Sequence, residues 1–129
     1  MEGKTAVRTE DAPAPFQGAP YSQAIQAGGF VFVSGQLALR PDHAEIVGDS
    51  IGEQTEQVFA NLRAILEAAG SGLDRLVKTT VYLADLGDFA GMNEVYARHV
   101  GDVPPARATV EVAALPSGAK VEIEAVATL

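Results

Sequence analysis

The chain contains no cysteine. Disulfides, thiolate metal ligands and a cysteine nucleophile are therefore excluded. Basic residues are also scarce: nine Lys and Arg stand against seventeen Asp and Glu, a net charge of −8. Nucleic-acid binders present a cationic footprint to phosphates, so a nucleic-acid partner is unlikely in charge terms, and anionic membranes are disfavoured for the same reason. No apolar run approaches the ~20 residues of a bilayer span. The opening Met-Glu-Gly-Lys-Thr-Ala-Val-Arg lacks the apolar stretch of a secretory signal, and the expected location is cytoplasmic. Only two histidines occur, His43 in a turn signal and His99 near a helix end, and neither has a metal-ligand spacing. No metal is expected. No Gly-x-Ser-x-Gly elbow is present, Ser34-Gly35-Gln36 being the nearest approach. Gly70-Ser71-Gly72 follows a helical pattern instead of opening one, so no phosphate loop is expected.

What is present is an ordinary globular composition. Hydrophobic residues are 47% and charged residues 20% of 129, which predicts one domain over residues 1–129 with a real core. Residues 11–20 are rich in Pro, Ala and Gly and read as a lead-in loop. Ala24–Ala27 and Phe30–Ser34 flank Gly28-Gly29, a hairpin signal. Gly35-Gln36 is placed to bend the second strand. Arg40-Pro41-Asp42-His43 and Gly48-Asp49 read as turns. Ser50 and Glu53 fit a capping box, and Val58, Leu62, Ile65 and Leu66 continue a helical stripe that Gly70 stops. Leu76–Ala84 is β-branched and reads as a strand. Asp85–Gly101 reads as a second helix, ended before Pro104-Pro105. Ala106–Val112 and Lys120–Leu129 read as two closing strands, joined by a turn at Pro116-Ser117-Gly118. The predicted order is ββ-α-β-α-ββ.

Strands alternate faces, so residues two apart share a side. In the last strand Val121, Ile123 and Ala125 oppose Lys120, Glu122 and Glu124; in the strand before it, Ala108, Val110 and Val112 oppose Arg107, Thr109 and Glu111. The apolar sets are expected to cover the helices. Arg107 and Glu122 then fall together on the other, mixed face. Such a face is either washed by solvent or an interface between copies that holds a site. Phe30 and Phe32 alternate with Val31 and Val33, so that strand is apolar on both sides, which favours a partner subunit.

Three residues stand out chemically. Arg107 opens a strand after Pro104-Pro105-Ala106, and its guanidinium fork suits a carboxylate; alone it would equally be a solvated charge. Glu122 is central in a β-rich segment, where charges are depleted. Tyr21 follows Pro20 in the lead-in loop, where simple packing would also explain it.

Seven short stretches, in order, give these residues a context. Ala19-Pro20-Tyr21-Ser22-Gln23-Ala24-Ile25, Val33-Ser34-Gly35-Gln36, Val77-Lys78-Thr79-Thr80-Val81-Tyr82-Leu83, Asp88-Phe89-Ala90, Asn93-Glu94-Val95-Tyr96, Pro105-Ala106-Arg107 and Val121-Glu122-Ile123-Glu124-Ala125-Val126-Ala127 resemble the Rid family (RidA/YjgF, reactive-intermediate deaminases, also labelled L-PSP endoribonucleases). The resemblance implies a chorismate-mutase-like α+β fold, a sheet with two helices on one face, assembled as a homotrimer with clefts between subunits. It implies hydrolysis of small 2-imino acids or enamines to 2-keto acids and ammonia, with no cofactor and no metal. Arg107 matches the family's carboxylate-binding arginine and Glu122 the acidic residue beside the attacking water. Tyr21, Gly35 and Asn93 match other positions in or beside the pocket. Thr109 stands where some members have cysteine and where the backbone helps to bind substrate. Ala19 replaces the usual glycine before Pro-Tyr-Ser, and the lead-in at 14–18 is longer than usual. The alternative functions are a non-catalytic small-molecule-binding regulatory trimer and an endoribonuclease or translation inhibitor, the latter opposed by the net charge of −8.

Overall fold

The computed structural model describes residues 3–42 and 44–129; His43 lies outside the described residues, whereas 41–42 of its predicted turn are seen as a turn. Eight regular elements follow in order: β1 (Thr5–Val7), β2 (Ala24–Ala27), β3 (Phe30–Gln36), α1 (Ile51–Ala68), β4 (Leu76–Leu83), α2 (Phe89–His99), β5 (Ala106–Glu111) and β6 (Val121–Thr128). The strands form one sheet in the order β1-β2-β3-β6-β4-β5. All pairings are antiparallel except β4 with β5. This is the α+β class that the family resemblance implies.

Local chemistry accounts for the elements. Gly28 and Gly29 both have positive φ, +61° and +85°, as a tight hairpin turn requires. The capping box closes as expected: Ser50 Oγ accepts from the Glu53 N–H at 3.1 Å, and Glu53 Oε1 accepts from the Ser50 N–H at 3.2 Å. Gly70, at φ +82°, ends α1. The apolar stripe of α1 buries Val58, Leu62, Ile65 and Leu66 against Val31, Val33, Val121, Ile123, Ala125 and Ala127 of the sheet, in one core that also takes Met92 and Tyr96 of α2. Both helices therefore cover the same face. On the uncovered face Phe30 and Phe32 are 39% and 47% exposed within the chain, their rings 6.3 Å apart.

Three expectations shift. β1 was not anticipated: it is a three-residue edge strand paired to β2, too short to show alternation. The second helix starts four residues later than predicted, because Asp85 Oδ1 accepts from the Gly87 N–H at 2.7 Å and holds 86–88 in a 3-10 turn. The third concerns β5. Its parallel register sets Arg107 beside Thr79 and Thr109 beside Val81, and Thr79 and Val81 are core-facing. Arg107 and Thr109 thus point to the helix side, whereas Val110 is 42% exposed on the other. The apolar set of β5 does not cover the helices.

Candidate active site

A cavity of about 490 Å³ opens on the uncovered face where β3, β6 and the lead-in loop meet, and Tyr21, Gly35 and Glu122 all line it. The register of β3 on β6 shifts between Val33 and Gln36, so the strand bends where the sequence places Gly35. A Cβ at Gly35 would fall on Glu122 Oε2 and 2.9 Å from the carboxyl carbon. Only glycine leaves that space to the carboxylate. Glu122 is half-buried, and burial first, then the charge of Glu124, pushes its pKa above the usual carboxylate value.

The loop that carries Tyr21 is tied down by a buried amide. Gln23 Oε1 accepts from the Thr9 N–H at 2.8 Å, and its Nε2 donates to the carbonyls of Thr9, Ala12 and Pro13 at 3.0, 3.2 and 2.9 Å. The Phe16 N–H donates to the Tyr21 hydroxyl at 2.5 Å, folding 16–21 over the cavity. Ala19 adopts φ −64° and ψ 155°, extended backbone open to any residue, so alanine fits there without strain. A larger cavity of about 660 Å³ runs along the same loop and shares Tyr21; Gln23, also on its wall, is already fully engaged. Across the sheet margin, Asn61 Nδ2 donates to the carbonyls of Leu37 and Leu39 at 3.0 and 2.8 Å, fixing Leu37 in the wall of the smaller cavity. Sequence reasoning missed these positioning amides. A polar side chain within an apolar helical stripe or at a strand entry was the available signal.

The second set of residues lies elsewhere. Arg107 stacks its guanidinium over the Tyr96 ring at 4.6 Å and the Phe89 ring at 5.5 Å. Such cation–π contact holds the plane of the fork while leaving its N–H groups free. The guanidinium has no hydrogen-bond or ion-pair partner among the described residues. Tyr96 is itself fixed: its hydroxyl lies 2.6 Å from Thr79 Oγ1 in the core, and its ring meets Phe59 edge-on at 5.4 Å. Asn93 is one turn from both Phe89 and Tyr96 on α2, on the same flank. Thr109 follows Arg107 by two residues, and its buried Oγ1 has no hydrogen-bond partner.

Arg107 and Glu122 therefore stand on opposite faces of the sheet, and the expectation that one mixed face carries both is overturned for the single chain. The physical reason is that β5 is an edge strand. Its outward apolar residues are uncovered within the chain, so hydrophobic alternation alone assigns its faces the wrong way round. Each chain holds two half-sets: Tyr21, Gly35 and Glu122 on one face, Arg107, Thr109 and Asn93 on the other.

His99 belongs to neither set. It stacks on Phe59 at 4.7 Å, its Nε2 lies 2.7 Å from Glu56 Oε1, and it terminates α2 as a structural brace. Among the described residues no group of three His, Asp or Glu could hold a metal ion, and no helix is long and apolar enough to cross a membrane.

The family model described as Endoribonuclease L-PSP matches residues 9–129. A RutC family protein of Pyrococcus horikoshii is 52% identical, over 96% of this chain and 97% of that protein. The 2-iminobutanoate/2-iminopropanoate deaminase of Mus musculus is 44% identical, over 96% and 90%. The crystal structure of RidA from the Antarctic bacterium Psychrobacter sp. superposes with a TM-score of 0.91 at 45% identity, over 97% of this chain and 99% of that one.

Proposed function

The chain belongs to the Endoribonuclease L-PSP family, the Rid/YjgF proteins, and from that footing we propose that it hydrolyses small 2-imino acids to 2-keto acids and ammonia in clefts between the subunits of a homotrimer. The observation that carries the reading is the Glu122 carboxylate, half-buried over Gly35 in an open cavity.

The reaction needs a held substrate, a directed water and a proton carrier. Arg107, pre-stacked and without an ion-pair partner among the described residues, clamps the substrate carboxylate with two parallel N–H donors; orientation of this kind is worth several kcal/mol. Glu122 takes one proton from water as the oxygen adds to the imine carbon and passes it to the nitrogen, giving a carbinolamine; it then takes the hydroxyl proton and delivers it to the amine as the C–N bond breaks, the carbonyl forms and ammonia leaves. General base catalysis contributes ~10²–10⁴-fold. An imine carbon is already electrophilic, so no cofactor or metal enters the scheme. Because the half-sets lie on opposite faces, a cleft that unites them takes Arg107, Thr109 and Asn93 from one chain and Tyr21, Gly35 and Glu122 from its neighbour. The exposed Phe30 and Phe32, on the face that carries Glu122, suit such a subunit contact.

Ammonia release from freshly generated 2-iminobutanoate, above its spontaneous hydrolysis, tests the proposal. Binding of 2-oxobutanoate without any ammonia release would instead favour the non-catalytic binding trimer. An RNA substrate is opposed by the net charge of −8 and by the two carboxylates, Glu122 and Glu124, in the cavity wall.

A further inference from the structure

Glu124 also lines the cavity of Glu122. It lies two residues along β6, hence on the same face. Its carboxylate is solvent-exposed but tethered: the Tyr82 hydroxyl donates to Oε1 at 2.5 Å, and Tyr82 is the cross-strand partner of Glu122. The three side chains form one cluster on adjacent strands. The remaining wall includes Phe16, Val33, Leu37 and Pro116, and among the described residues no Lys, Arg or His contributes to it. No described residue lining the cavity could neutralise a second anion on a bound molecule, and the neighbour's Arg107 is taken by the substrate's first carboxylate. The charge of Glu124 already reaches Glu122, where it is the second cause of the raised pKa.

We infer that Glu124 is a specificity-determining residue, a tethered carboxylate that admits 2-imino acids with neutral or cationic side chains and repels those with a side-chain carboxylate. The inference rests on the deaminase reading for its substrate class. Like charges brought together beside the half-buried Glu122 are disfavoured, and that repulsion is the discriminating element.

The test is the ratio of kcat/KM for 2-iminobutanoate and for 2-iminopentanedioate, each freshly generated. Wild-type protein is expected to favour the first by about tenfold or more, and Glu124→Gln to reduce that preference by about tenfold, a difference of about 1.4 kcal/mol. Altered basicity of Glu122 would scale both substrates alike and cancel in the ratio. Raised ionic strength should narrow the wild-type preference with no variant at all, because salt screens the repulsion. Calorimetric binding of 2-oxobutanoate and 2-oxoglutarate gives a readout without chemistry. Discrimination between the keto acids without ammonia release would remove the deaminase reading and leave charge selection standing. Ammonia release from both imines at equal efficiency, or a preference untouched by salt and by Glu124→Gln, overturns the inference and leaves the deaminase reading intact.

Discussion

At Glu122 a carboxylate must ionise where burial and Glu124 both penalise its charge. A base works only when ionised, so kcat/KM is expected to fall, as pH drops, through a midpoint above the ordinary glutamate value; a pH–rate profile checks this, and Glu122→Gln should abolish that limb. The stability effect runs the other way. A carboxyl whose folded pKa is raised favours the native state below its unfolded value of 4.5, and the benefit is lost as pH rises through the folded value. At neutral pH Glu122→Gln therefore removes a cost, and its melting temperature should match or exceed wild type while ammonia release falls about tenfold or more. Melting and activity measured on one preparation decide the point: full activity would remove Glu122 from the base role. Arg107→Lys keeps the charge but loses the fork and the flat stack on Tyr96. It should lose most of its kcat/KM, and near-wild-type kinetics would take Arg107 out of the clamp.

At the scale of elements, the ends of α1 follow from short-range chemistry, and the faces of β5 do not. Ser50→Ala removes one arm of a formed capping box and should lower stability by about 1 kcal/mol, read as a shift in the denaturation midpoint, with kcat/KM of the folded protein retained. That cap lies on α1, apart from both half-sets. The bend in β3 shows a different dependence. Gly35 permits the carboxylate of β6 to cross β3, so the element serves a residue 87 positions away in the chain only after the sheet has formed. Capping boxes, glycine turns and the α1 stripe were legible because their partners lie within a few residues. Gln23 and Asn61 were not, since they bond backbone 10–14 and 22–24 residues away.

The whole molecule is expected to be a homotrimer, and light scattering at micromolar concentration should show one; a stable monomer would refute it. Subunit mixing gives a sharper measurement. Arg107→Lys and Glu122→Gln chains, each nearly inactive alone, should recover about a quarter of wild-type activity when unfolded and reassembled in equal amounts, because about one random neighbour pair in four then unites an intact Arg107 with an intact Glu122. A cleft built within one chain would show no recovery on mixing.

The sequence by itself determined the class and order of nearly every element, the caps and turns, the core stripe of α1, and, through seven ordered stretches resembling the Rid family, the identity of the candidate residues. These rest on local propensities and on periodicity along the chain, which any single segment carries in full. Only the tertiary structure decided that Arg107 and Glu122 face away from each other. Facing is set by the register between strands, and the register of β5 depends on β4, more than twenty residues earlier. The pairing of β4 with β6 places Tyr82 against Glu122 and so brings Glu124 under its hydroxyl, a contact 42 residues apart that no local pattern encodes.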